Sequence, residues 1–190
     1  MSAADTRHTE PGTTPSRPST NDPETVPDAV DAVVSAWQRE RPDLDLTAIA
    51  VVGRLSRVNL LLGPAQERVF AEFGLQRGEF DVLAALRRSG APYTLSPSRL
   101  SDQLMLSRAG MTNRLDRLEA AGMIERTLDS ADRRSFRIRL TDHGYATIDA
   151  AMTQHTANVT NLLGHLTPQD LTSLDTLARK LLLHLTTSSQ

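Results

Sequence analysis

Apolar residues begin to recur with a helical period only after Pro27. Val30, Val33, Val34 and Trp37 fall at i, i+3, i+4 and i+7, which predicts one face of a short helix that Pro42 ends. A second helix is expected from about Leu46 to Leu62. Gly63 and Pro64 interrupt it and Ala65 to Phe73 reads as helical again, so either a kinked long helix or two short ones is expected, capped by Gly74. Phe80, Leu83, Ala84 and Leu86 mark a further helix from about Gly78 to Ser89.

The pattern then changes character. Ser96 before Pro97 pairs a capping hydroxyl with a proline at the first helical position, predicting a short helix to about Leu104. Met105 and Leu106 make a tight connection, Ser107 caps a helix that runs to Ala121, and Gly122 supplies its left-handed stop. Two β-prone runs follow, Ile124 to Leu128 and Ser135 to Leu140, on either side of the polar turn DSADRR at 129–134. Two helices and then a hairpin is the order of a winged helix-turn-helix.

Beyond a capping Thr141, a long helix carries apolar positions to Leu163. Thr167-Pro168-Gln169-Asp170 opens a last helix through a capping-box variant with aspartate in place of glutamate. Leu171, Leu174, Leu177, Leu181 and Leu185 form a stripe along it, with Leu182 beside. The expected fold is mainly α with a small β-hairpin wing. Its parts are a disordered tail at 1–27, N-terminal helices at 28–74, a winged helix-turn-helix at 75–141, C-terminal helices at 142–185 and a short tail at 186–190. The outer helices are expected to form an all-helical dimerisation layer.

Composition refines this picture. Residues 1–27 hold five of the ten prolines and almost nothing apolar beyond Val26, too little to offset the entropy of ordering them. The chain has no cysteine, which excludes disulfides, thiolate metal sites and cysteine nucleophiles. No stretch reads as the roughly 20 apolar residues of a membrane span, and the N-terminus lacks a secretory pattern, so no membrane partner and a cytoplasmic location are expected. The formal net charge of −2 argues against a polyanion partner until its distribution is counted. Residues 98–140 hold nine arginines against six acids, a local +3, which leaves −5 for the remainder.

On a helical wheel, Met111, Leu115 and Leu118 share one side of the second helix, with Ala109, Gly110, Asn113 and Arg117 roughly opposite and Thr112 and Arg114 on the flanks. Such an outward side suits the major groove of duplex DNA, where asparagine pairs with adenine and arginine with guanine. Ser107 and Arg108 stand at the helix N-terminus, where phosphate is favoured. Arg133 and Arg134, at the turn tip, suit the narrow minor groove, with Asp132 placed to orient one of them. The candidate DNA contacts are therefore Ser107, Arg108, Gly110, Thr112, Asn113, Arg114, Arg117, Arg133 and Arg134. The bland alternative is a solvated helix face followed by a solvated turn.

Through LSRAGMTNRLDRLEAAGMIERTLDSADRRSFRIRLTDHG at 106–144, and EFDVLAALRRSG at 79–90, the chain resembles the MarR family of winged-helix regulators. Many relatives read Asp-Pro-x-Asp-Arg-Arg at the wing turn, where Ser130 replaces the proline here. The resemblance implies a homodimer with interlocked terminal helices, binding a pseudo-palindromic operator and released by a small aromatic or anionic ligand. The extra N-terminal helix, with Trp37 ahead of RERPDLD at 39–45, looks like the family branch that includes urate-responsive regulators. The positions this branch implies for ligand response are Trp37, Asp81, Arg88 and Arg126. Asp81 and Arg88 lie two turns apart, about 10.5 Å of rise, too far for a direct pair but suited to bracketing a planar anion. The implied switch has the anion neutralise Arg88 and repel Asp81, which shifts its partner Arg126. The alternative is that Trp37 is dimer core and the three charges are structural ion pairs; urate, a purine-like compound and a polycarboxylate all remain open as ligands.

Enzymatic chemistry is not indicated, because no glycine-rich phosphate loop or histidine–nucleophile motif occurs and no cofactor is implied. His143, His155, His165 and His184 lack metal-ligand spacing. A winged helix that binds protein instead of DNA, or a DNA-binding regulator without a ligand, remains the alternative function.

Overall fold

A computed structural model describes residues 26–105, 107–128 and 136–187, apart from the side chains of Arg108 and Ala109. The helices are α1 (Ala29–Glu40), α2 (Thr47–Glu72), α3 (Arg77–Arg88), α4 (Pro97–Leu104), α5 (Arg108–Ala120), α6 (Asp142–Leu162) and α7 (Pro168–Thr187). The strands are β1 (Thr94–Leu95), β2 (Ile124–Leu128) and β3 (Phe136–Leu140). The chain divides into two compact units, the first ending at Ser56 and the second beginning at Arg57.

In the first unit, Asp28 caps α1 by accepting the backbone N–H groups of Val30 (2.7 Å) and Asp31 (3.0 Å). Arg54 of α2 returns to this cap and pairs with both Asp28 and Asp31. Val30 is buried and sits against Gly53, where a Cβ would lie 3.1 Å from Val30 Cγ1.

The second unit carries the main core. Val82, Leu83, Ala85 and Leu86 of α3 are buried with Leu100 of α4, Met111, Leu115 and Leu118 of α5, Ile124, Ile138 and Leu140 of the sheet, and Ile148 and Ala151 of α6. The sheet is antiparallel in the order β1-β3-β2, with Arg126 opposite Ile138 and Leu128 opposite Phe136. Alternation places Ile124, Arg126 and Leu128 on one face with Leu140, Ile138 and Phe136, so only the half of that face nearest the helices is buried. At its far end α3 is pinned to α6: Arg87 pairs with Asp149 (2.8 Å) and its guanidinium lies 4.5 Å from the Tyr145 ring centre and 5.3 Å from that of Tyr93.

Element order follows the sequence reading, with two differences. The hairpin gains a third strand, because Thr94 and Leu95 pair with Arg139 and Ile138. Two residues are too few to show an alternating pattern. Of the two arrangements expected around Gly63 and Pro64, the single long helix is the one that forms, and its later residues Ala65, Val69 and Phe70 are buried. Tertiary burial there outweighs the one hydrogen bond that proline removes. By length and composition α2 is also apolar enough to cross a membrane, unlike the sequence expectation. Arg54 and Arg57 interrupt that stretch and its end belongs to the protein core, which are marks of a water-exposed helix with an apolar face. The expected tail at residues 1–25, the wing turn with Asp132, Arg133 and Arg134, Leu106 and the end of the C-terminal tail lie outside the described residues.

Candidate DNA-binding face

The helix-turn-helix is built by local caps. Ser96 Oγ accepts the Arg99 N–H (3.3 Å) at the start of α4, and Met105 ends that helix in the left-handed region with φ of 51°. Ser107 Oγ accepts the Gly110 N–H (3.2 Å) and so starts α5. Gly122, with φ of 67°, turns the chain out of α5 toward β2. Thr141 then ties the next helix to this corner: its hydroxyl donates to Gly122 O (2.7 Å) and accepts the Gly144 N–H (3.0 Å).

The inward face of α5 is the expected one, since Met111, Leu115 and Leu118 are all buried. Each such side chain contributes about 1.5–3 kcal/mol. An exposed ion pair contributes about 0–1 kcal/mol, so burial decides which side of α5 faces out. Thr112 and Asn113 lie on the exposed surface, and Gly110 is half-buried beside Ser107. A cleft of about 550 Å³ between α4 and α5 is lined by Pro97, Ser98, Ser101, Asp102, Ser107, Met111 and Thr112. Its hydroxyls are suited to phosphate oxygens. Ser98 and Ser101 were not singled out from the sequence, because only the packing of α4 on α5 brings them beside Ser107.

Arg114 and Arg117 of α5 behave differently from the wheel's expectation. Arg117 Nε lies 2.8 Å from Glu79 Oε1, and its Nη2 donates to Gln76 Oε1 at 2.5 Å. Glu79 is buried, and its Oε2 also accepts the Gln76 N–H (2.7 Å). Removing Arg117 would strand a buried carboxylate, at a cost of up to about 3 kcal/mol after allowing for the solvent-facing side of the guanidinium. Arg114 lies across Gly78, where a Cβ would meet its Nε at 2.1 Å, and its Nη1 is buried without a hydrogen-bond partner. The sequence signal for this arrangement is the Gln76-x-x-Glu79 capping pair, which reads locally as a helix start and carries no sign of a distant partner.

The residues expected to answer a ligand are not all brought together. Trp37 belongs to the first unit, where its side chain is half exposed. Asp81 and Arg88 share α3, with Asp81 half-buried and Arg88 exposed. Burial pushes the Asp81 carboxyl above its usual range, against the opposing pull of Arg77, Arg114, Arg88 and His155. Arg126 does not pair with Asp81. It pairs with Asp116 (2.5 Å) and Glu119 (3.4 Å) of α5, because β2 runs directly back along that helix.

A family model described as MarR family matches residues 73–135, the segment from just after α2 to just before β3. The HTH-type transcriptional regulator PecS of Dickeya dadantii is 43% identical over 156 residues, covering 82% of this chain and 94% of the relative. The chain belongs to the MarR family. Among solved structures, AbsC, a MarR family transcriptional regulator from Streptomyces coelicolor, aligns with a TM-score of 0.66 at 28% identity, covering 75% of this chain and 96% of that one. A variant of MarR from Escherichia coli complexed with operator DNA aligns with a TM-score of 0.63 at 24% identity, covering 72% and 97%. This MarR family member is a DNA-binding transcriptional regulator with the winged helix-turn-helix fold, and its relatives are regulators rather than enzymes. The matched residues include α4 and α5, the helix-turn-helix, together with β2.

Proposed function

We propose that the protein is a homodimeric repressor that places two copies of α5 in successive major grooves of a pseudo-palindromic operator and lets go when a small anionic or aromatic ligand binds. The observation that carries the DNA half is the split character of α5, apolar residues buried against the core with Thr112 and Asn113 on the exposed side. Ser107, Arg108, Gly110, Thr112 and Asn113 are the proposed contacts of α5, with Arg133 and Arg134 as those of the wing. Arg114 and Arg117 are supported less well as direct contacts, since both rest against α3.

The dimer is supported by α7, in which no residue is buried while Leu171, Leu174, Leu177, Leu181 and Leu185 form an exposed stripe. An apolar stripe of this extent is favoured by self-association into a closed pair. A ligand site at Asp81 and Arg88 is supported by the half-buried Asp81 carboxyl, which burial raises beside several cations, while Trp37 stands in the other unit. Arg126 fits this switch only through its hold on Asp116 and Glu119, without a direct link to Asp81.

The test is recovery of bound fragments from the source genome with the full chain, followed by titration of the bound duplex against salt and against urate, hypoxanthine and citrate. Steep loss of affinity with salt is expected of a DNA reader. An anion-released repressor also loses operator affinity with at least one of the three, because a ligand shifts only an equilibrium whose states it binds unequally. No salt dependence overturns the DNA reading, and no response to any of the three overturns this ligand class.

A further inference from the structure

The first turn of α3 makes two separate contacts with the recognition helix. Arg117 places two in-plane donors on Glu79 and Gln76, while Glu79 is held from its other oxygen by the Gln76 backbone. One turn earlier on α5, the Arg114 guanidinium lies against Gly78, which stands between Arg77 and Glu79, so close that a Cβ there would force the guanidinium to move. A cavity of about 280 Å³ lies at the same joint, with Glu79 and Arg117 facing Leu118 and Met123 across it. Leu75, Leu118 and Met123 are buried beside it, so the polar fork adds a directional contact to the apolar packing between α3 and this end of α5.

We propose that Gln76, Gly78 and Glu79 form a seat for Arg114 and Arg117 that sets how the recognition helix is rotated in the major groove, making Arg117 a positioning residue and not a DNA contact. The physical reason is the cost of the alternative. For Arg117 to reach a base or phosphate with its paired donors, it must leave a buried carboxylate without its cationic partner, held only by the Gln76 backbone N–H. A planar guanidinium holds both acceptors at once, and lysine, with a single point of charge, does not reproduce this geometry. Base preference then depends on Glu79, a residue on a different helix from the one that reads DNA. The inference rests on α5 entering the major groove, as proposed above.

The test uses the full chain and a duplex selected by it from a random pool, with a scrambled duplex of equal length as the non-specific reference. Arg117→Lys and Glu79→Gln are each expected to lower operator affinity about tenfold, and the double variant to be no worse than the poorer single one, as for residues acting as one unit. Affinity for the scrambled duplex and the slope of log K against log salt should stay unchanged, which general misfolding would not allow. The proposal is overturned if Arg117→Lys keeps operator affinity, if losses in the two variants add, or if the salt slope of Arg117→Ala falls by about 0.9 per lost phosphate contact. Should Glu79→Gln fail to fold, Arg117→Lys decides the matter alone. Failure of the groove reading itself shows separately, as Asn113→Ala leaving the selected base preference intact.

Discussion

At the scale of single residues, the charged groups around α3 carry most of the information about regulation. Asp81 has a carboxyl raised by burial, so its contribution to stability is present below the unfolded carboxylate value and is lost as pH rises through the folded one. Asp81→Asn removes that cost, and its melting temperature should exceed that of the parent at pH 7, with the difference closing below about pH 4. A lower melting temperature for the variant at pH 7 would show that Arg77, Arg88 and Arg114 outweigh burial. His155 works in the other direction. Its imidazole packs 5.1 Å from the Phe70 ring centre and 5.3 Å from that of Phe80, with Nδ1 buried and unpartnered. Burial, and then Arg77, lower its pKa despite the opposing pull of Asp81, so the stability it supports is complete above about pH 6.5 and is lost as pH falls through the folded value. His155→Asn should flatten the fall in melting temperature between pH 7 and pH 5.

At the scale of elements, the corner between α5 and α6 is the tightest contact described. A Cβ on Gly144 would lie 1.9 Å from the backbone oxygen of Met123, which cannot swing aside as a long side chain does. Gly144→Ala gains about 1 kcal/mol of helix propensity. Overpacking against backbone costs about 1–3 kcal/mol or more, so a net loss of stability in urea denaturation is expected. Equal or greater stability would mean that α6 shifts freely on the corner. Much at this scale was legible beforehand, including the caps at Ser96, Ser107, Gly122 and Thr141, because caps and turns are written in residues next to one another. Strand β1 was not, nor was the choice between one helix and two around Pro64, since both depend on partners far away in sequence: Arg139 and Ile138 for the strand, and the core around Phe70 for the helix.

For the whole molecule, the unburied leucines of α7 are the feature that a single chain leaves unexplained. Leu177→Glu with Leu181→Glu places charges on the stripe, and the mass measured by light scattering should fall from that of two chains to that of one. Operator affinity should fall with it, because each half-site then binds alone. A variant that keeps the mass of two chains would move the dimer contact away from α7.

Read alone, the sequence determined the winged helix-turn-helix, the family and the buried side of α5, because periodicity, caps and turns are local and the MarR pattern is dense between Leu106 and Gly144. Tertiary structure decided what the charges do. It turned Arg117 onto Glu79, laid Arg114 over Gly78 and gave Arg126 to Asp116 and Glu119. A helical wheel shows only that an arginine is off the apolar face. Which acid it meets depends on the neighbouring helix, and a guanidinium on a long stem reaches whichever carboxylate the packing brings within a few ångströms.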